Sequence, residues 1–169
     1  AVVAREDSED WQAIRRHRNQ GGAILGGFEA WLLLRGMRTL FPRVRLASRS
    51  AQAIAEWLST HPQVIEVRYP GLPGDPNHQV AARQMAGGFG GMLSIRVQGG
   101  HAGARRFAGA LQVFREATSL GSVESLVEHR APVEGPGTLC PDDLLRLSIG
   151  IEAVEDLIAD LAQALDGLH

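Results

Sequence analysis

The chain has 169 residues, of which 44% are hydrophobic and 21% charged, and its formal net charge is −2. That is the make-up of an ordinary soluble domain with one core, and it provides no strongly basic face for nucleic acid or an acidic membrane surface. All seventeen basic residues are arginine and there is no lysine, so a reaction needing a lysine amine cannot be completed by this chain alone.

In chain order, residues 1–5 read as the end of a strand whose beginning is missing. Asp7 and Ser8 can cap a helix running to Asn19, with Trp11 and Ile14 on its inner side. Arg15, Arg16 and Arg18 share that segment with Glu6, Glu9 and Asp10 and form a solvated face. Gly21, Gly22, Gly26 and Gly27 mark a junction, because glycine accepts the positive φ needed where one helix ends and another begins. A long helical region follows, apolar at Phe28, Trp31, Leu32, Leu34 and Met37. It continues beyond Pro42 through Leu46, Ala51, Ile54, Ala55 and Leu58.

From His61 the pattern becomes α/β. Residues 64–69 suit a short strand, 70–74 a turn-rich loop and 77–85 a short helix. Residues 91–97 alternate clearly, with Leu93, Ile95 and Val97 opposite Met92, Ser94 and Arg96. A helix over 102–111, a strand over 113–117 and a strand over 144–151 follow. The last helix carries Val154, Leu157, Ile158, Leu161, Leu165 and Leu168 on one stripe, with Glu155 and Asp156 at the positive end of its dipole. The order predicts an open-sheet α/β or α+β domain preceded by a long helical region.

Few residues suggest chemistry by themselves. Gly87-Gly88-Phe89-Gly90-Gly91 precedes a strand pattern, which makes it a turn rather than a phosphate loop that opens a helix. The six histidines (His17, His61, His78, His101, His129, His169) show no metal-ligand spacing. Cys140 is the only cysteine; it excludes an internal disulfide, suits a reducing cytoplasm and reads as inert. The apolar run from Ala30 to Leu34 is far too short to cross a membrane, and no signal peptide is evident. Arg146 alternates with Leu145, Leu147, Ile149 and Ile151 and shares its face with only Ser148 and Gly150. It reads either as a surface arginine or as a planar fork for a carboxylate. Thr118-Ser119-Leu120-Gly121 reads as an anion-binding loop or a plain turn.

Five ordered motifs resemble one family. They are Phe28-Glu29-Ala30-Trp31-Leu32-Leu33-Leu34-Arg35-Gly36-Met37-Arg38-Thr39-Leu40, His61-Pro62 with Val67-Arg68-Tyr69-Pro70-Gly71-Leu72, and Gly88-Phe89-Gly90-Gly91-Met92-Leu93-Ser94. The last two are Ser119-Leu120-Gly121-Ser122-Val123-Glu124-Ser125-Leu126 and Leu145-Arg146-Leu147-Ser148-Ile149-Gly150-Ile151-Glu152. The chain is similar over nearly its whole length to the cystathionine γ-synthase/γ-lyase group of pyridoxal-phosphate (PLP) trans-sulfuration enzymes.

The resemblance implies the C-terminal small domain of a fold-type I PLP enzyme, with an open, mainly antiparallel sheet and helices packed on one side. Residues 1–20 would be the tail of a truncated large PLP-binding domain, 21–60 the crossover and long helical region, and 61–169 the C-terminal α/β domain. The Schiff-base lysine would lie upstream, so the isolated chain is expected to bind no PLP and to be inactive. Arg146 matches the residue that holds the substrate α-carboxylate, and Ser119 helps form the same pocket. Thr118 stands where several members carry a glutamate associated with reaction choice. Gly27 replaces a proline, and the 130–141 loop is short and lacks a Met-Ser/Thr-His segment. The implied partners are an amino-acid substrate, the missing N-terminal domain and further copies in a cytoplasmic homo-oligomer. The rival expectation is a free-standing or degenerate binding or assembly domain without catalysis.

Overall fold

Ser8 starts the first helix, its side chain accepting the Trp11 N–H at 3.2 Å. Helix α1 (Glu9–Gln20) then places Glu9 and Asp10 in its first turn and His17 and Arg18 in its last, both favourable to the helix dipole. The computed structural model describes residues 2–168, which divide into two units, the first ending at Leu40 and the second beginning at Phe41. In the first unit the described residues before Ser8 form no strand, against expectation, and Ile14 is exposed rather than turned inward. Helix α2 (Gly27–Met37) carries Phe28, Trp31, Leu32, Leu33, Leu34 and Met37, all exposed, with the Phe28 and Trp31 rings stacked at 6.0 Å.

The second unit is built on α3 (Leu40–Leu58), whose core side holds Ala51, Ile54, Ala55 and Leu58. Pro42 lies within its first turn, where the N–H that proline lacks would have no helical partner. Strand β1 (Val64–Arg68), helix α4 (His78–Gln84), strand β2 (Met92–Val97) and helix α5 (Gly100–Ala110) follow. Next come β3 (Arg115–Glu116), β4 (Leu126–His129), α6 (Arg130–Glu134), β5 (Leu144–Ser148) and α7 (Val154–Asp166).

The five strands form one sheet in the order β1-β2-β5-β4-β3, antiparallel throughout except for the β3–β4 pair. Alternation drives one side of the sheet into the core: Leu93, Ile95 and Val97 from β2, Val127 from β4, and Leu145 and Leu147 from β5. Ile54 and Leu58 of α3, Phe107 of α5, and Leu157, Leu161 and Leu165 of α7 belong to the same cluster. Each such side chain contributes about 1.5–3 kcal/mol on burial. The α/β, mainly antiparallel architecture is therefore the expected one.

Three local expectations need correction. The strand over 113–117 is only the two-residue β3, because a short parallel pair is all that β4 offers at the sheet edge. The strand over 144–151 stops at Ser148, and Ile151 is exposed because the chain turns away towards α7. Helix α6 occupies the start of the 130–141 stretch read as loop, and strand β4 adds an element that the sequence reading does not predict.

Candidate functional site

Arg146 sits on the middle strand of the sheet. Its neighbours Leu145 and Leu147 are fully buried, and the strand's period of two turns Arg146 and Ser148 to the opposite face. In register, Arg146 faces Ser94 of β2 on one side and Glu128 of β4 on the other. Two flanking strands hold its backbone, and its cross-strand neighbour on the β2 side is the small Ser94.

Glu128 gathers the polar groups of this face. One carboxylate oxygen accepts the Thr118 hydroxyl; the other accepts Arg130 Nη1 at 2.5 Å and lies 2.8 Å from Arg146 Nη2. Burial acts to raise the Glu128 pKa. The hydrogen bonds from Thr118 and Arg130, with the charges of Arg146 and Arg130, outweigh that effect and hold the carboxyl below its ordinary value. Arg130 is braced by Glu134 at 2.8 Å, which in turn accepts the Thr138 hydroxyl at 2.7 Å.

The contact between Arg146 and Glu128 is close but poorly aligned, an ion pair without a formed hydrogen bond. Arg146 Nη2 and Ser148 Oγ are the buried side-chain polar atoms that lack a hydrogen-bond partner among the described residues. Two unspent polar groups on one strand face mark a place built to meet a ligand or water.

The loop bearing Ser119 is fastened to the end of β5. Ser125 donates through its N–H and its hydroxyl to the Glu152 carboxylate at 2.7 and 2.9 Å, and its hydroxyl oxygen accepts the Gly150 N–H at 2.9 Å. The Ile151 N–H reaches the Val123 carbonyl at 3.0 Å. A Cβ on Gly150 would collide with that carbonyl oxygen and with Glu152, so the close passage of the two segments requires glycine there. Beside this clasp lies a largely apolar cavity of about 260 Å³, lined in part by Ala47, Met92, Leu120, Ile149 and Ile151.

Of the residues singled out from sequence, Thr118 and Arg146 meet on one carboxylate. Ser119 does not join them: its hydroxyl oxygen accepts the Gly121 N–H at 3.2 Å in a turn of its own. Gly87 to Gly91 lead directly into β2 as a turn. Burial, then the charge of Glu134, push the Cys140 thiol up. His101 and His129, far apart in sequence, bring their rings within 4.8 Å, and the His129 ring bonds the Asp142 carbonyl at 2.6 Å. The residue that sequence reasoning missed is Glu128; the available signal was a lone acid in the short run Leu126-Val127-Glu128-His129.

The family model for "Cys/Met metabolism PLP-dependent enzyme" matches residues 1–166. The chain belongs to this family. A cystathionine gamma-synthase of Mycobacterium tuberculosis is 48% identical over 153 residues, covering 88% of this chain and 39% of the relative. A cystathionine gamma-lyase of Dictyostelium discoideum is 40% identical, covering 98% of this chain and 44% of the relative. The solved cystathionine gamma synthase of Xanthomonas oryzae, in complex with aminoacrylate and cysteine, superposes with a TM-score of 0.89 at 43% identity, over 98% of this chain and 44% of that one. The chain thus spans less than half the length of these relatives. Among the described residues no helix is long and apolar enough to cross a membrane.

Proposed function

We propose that this chain is the C-terminal part of a PLP-dependent trans-sulfuration enzyme that forms or cleaves the C–S bond of cystathionine or a related sulfur amino acid. Residues 1–20 then complete a preceding large domain, 21–60 form the crossover and 61–169 the small domain of a cytoplasmic homo-oligomer. The observation that carries the reading is Arg146 on the central strand, with a buried Nη2 that no hydrogen bond satisfies. A guanidinium in that state offers a substrate α-carboxylate two parallel N–H donors. By the family's motif Ser119 and Thr118, on the loop clasped to the end of β5, would border the carboxylate pocket, and the apolar cavity beside the clasp suits the aliphatic thioether part of the substrate.

The residues present do not fit attachment of the cofactor itself, since a Schiff base needs a lysine amine and the chain has none. PLP, where bound in the longer protein, supplies the electron sink. This chain's contribution is recognition: Arg146 fixes the carboxylate and with it the orientation of the substrate's α-carbon.

The test is Arg146→Gln in the full-length protein. We expect kcat/KM for the amino-acid substrate to fall about 100-fold, as for loss of a desolvated charge partner, with cofactor absorbance retained. A change within about twofold would overturn the reading. The purified 169-residue chain mixed with PLP should develop no Schiff-base band and release no oxo acid; turnover would overturn the assignment of chemistry to the missing part.

A further inference from the structure

Glu128 is held more firmly than the ion pair with Arg146 alone requires. Its carboxylate receives Thr118 from the loop, Arg130 from α6 and Arg146 from β5, three segments converging on one buried group. The bonds from Thr118 and Arg130 are formed hydrogen bonds, whereas the approach of Arg146 is not. Thr118 and Arg130 therefore fix the carboxylate, and the carboxylate attracts Arg146 without consuming its donors. An arginine side chain left free loses considerable rotamer entropy when it binds a ligand. A fixed counter-charge directly across the strand pair removes part of that cost before the ligand arrives.

We infer that Glu128 is a positioning residue for substrate recognition. It holds the Arg146 guanidinium in place by charge while leaving its N–H groups for the substrate carboxylate. Through the Thr118 hydroxyl it also couples the substrate-facing loop to the same anchor. Glu128 touches no substrate atom in this scheme; it acts through Arg146. The inference rests on the reading of Arg146 as the carboxylate anchor.

The coupling makes a specific demand on discrimination. A substrate analogue whose carboxylate is replaced by a carboxamide cannot make the charge-assisted pair, so the ratio of inhibition constants, amide over acid, reports how well Arg146 is presented. A merely structural role for Glu128 would weaken both analogues equally and leave that ratio unmoved.

The experiment uses the full-length protein and compares Glu128→Gln, Thr118→Val and Arg146→Gln. Glu128→Gln should raise KM about tenfold with kcat within about twofold, and should lower the amide-to-acid ratio about tenfold. Thr118→Val, which removes the hydroxyl bond to Glu128 while keeping the side chain's shape, should shift the ratio the same way by about threefold. It keeps the test decisive if Glu128→Gln does not fold, since any direct effect on the substrate side chain falls on both analogues alike. If Arg146→Gln collapses the ratio while Glu128→Gln and Thr118→Val leave it unchanged, the positioning role is wrong and the carboxylate anchor stands. A KM that falls in Glu128→Gln also overturns the inference, since Glu128 would then compete with substrate for Arg146. If Arg146→Gln itself leaves the ratio intact, the anchor reading fails and this one fails with it.

Discussion

Asp160 of α7 accepts the backbone N–H of Phe114 at 3.1 Å across 46 residues of sequence. The same carboxylate accepts the N–H groups of Gln112 and Val113 at 2.8 Å each. A single buried acid thus replaces the sheet partners that the chain lacks between α5 and β3. It sets the point from which the Thr118 loop departs.

Replacing Asp160 by alanine leaves the Phe114 N–H buried without a partner, while the N–H groups of the exposed Gln112 and Val113 can turn to water. The expected cost is about 2 kcal/mol, carried mainly by the buried Phe114 donor. Urea unfolding of the purified chain measures it, and a loss below about 0.5 kcal/mol would contradict this account.

Gly150→Ala forces the end of β5 away from the Val123 carbonyl, because neither backbone can yield without the other. Overpacking of this kind costs about 1–3 kcal/mol. The displaced loop carries Ser119, so in the full-length protein the same change should raise KM more than it lowers kcat. An unaltered melting temperature would count against the clasp.

Tyr69 is the chain's only tyrosine and is fully buried. Its hydroxyl donates to the Gly90 carbonyl at 2.9 Å and lies 3.4 Å from the Ser48 carbonyl. Burial, assisted by the charge of Glu56, pushes its pKa up to about 12 from an ordinary 10.0. A pKa raised on folding means that the folded state keeps the proton longer. The resulting stability is complete below about pH 10 and is lost as pH rises towards 12. Phenolate absorbance should therefore appear late and together with unfolding. Tyr69→Phe should lose about 1 kcal/mol at neutral pH and should remove this part of the alkaline decline. A phenolate transition near the ordinary value in folded protein would refute it.

Cys140 should react slowly with thiol reagents near neutral pH. Burial first, and Glu134 next, raise its pKa and so reduce the thiolate, with Arg130 and Arg68 opposing them. Its alkylation rate should lie below that of free cysteine at the same pH, and should rise on unfolding. A rate equal to or above that of free cysteine would show an activating neighbour instead.

What could be read from the sequence followed the reach of local patterns. β2 and β5 announce themselves because Leu93, Ile95, Val97, Leu145 and Leu147 all enter one core while their neighbours do not. β4 gives no such alternation: Val127, Glu128 and His129 are all buried, because the strand lies between β5 and β3 and its outer face is covered by side-chain contacts of its own. The pattern that singles out Arg146, the proposed anchor, is local: small neighbours on its face and the surrounding motif. Glu128 could not be found that way, since its importance arises from cross-strand register with Arg146 and from Thr118 ten positions away. Ser119 fits its motif, yet its hydroxyl is occupied by its own turn.

The place of β5 in the sheet has a consequence in time as well as in space. With antiparallel partners on both sides, its backbone amides should be among the last to exchange with deuterium, opening only when the whole unit opens. The stretch from Thr118 to Val123 has few backbone bonds to either side and should exchange orders of magnitude sooner. One end of a bound amino acid would then meet a surface that scarcely moves, and the other end a surface that adjusts. On the proposed reading, the accepted side chain could change in length or branching through the fast segment alone, with the carboxylate anchor on the slow strand untouched.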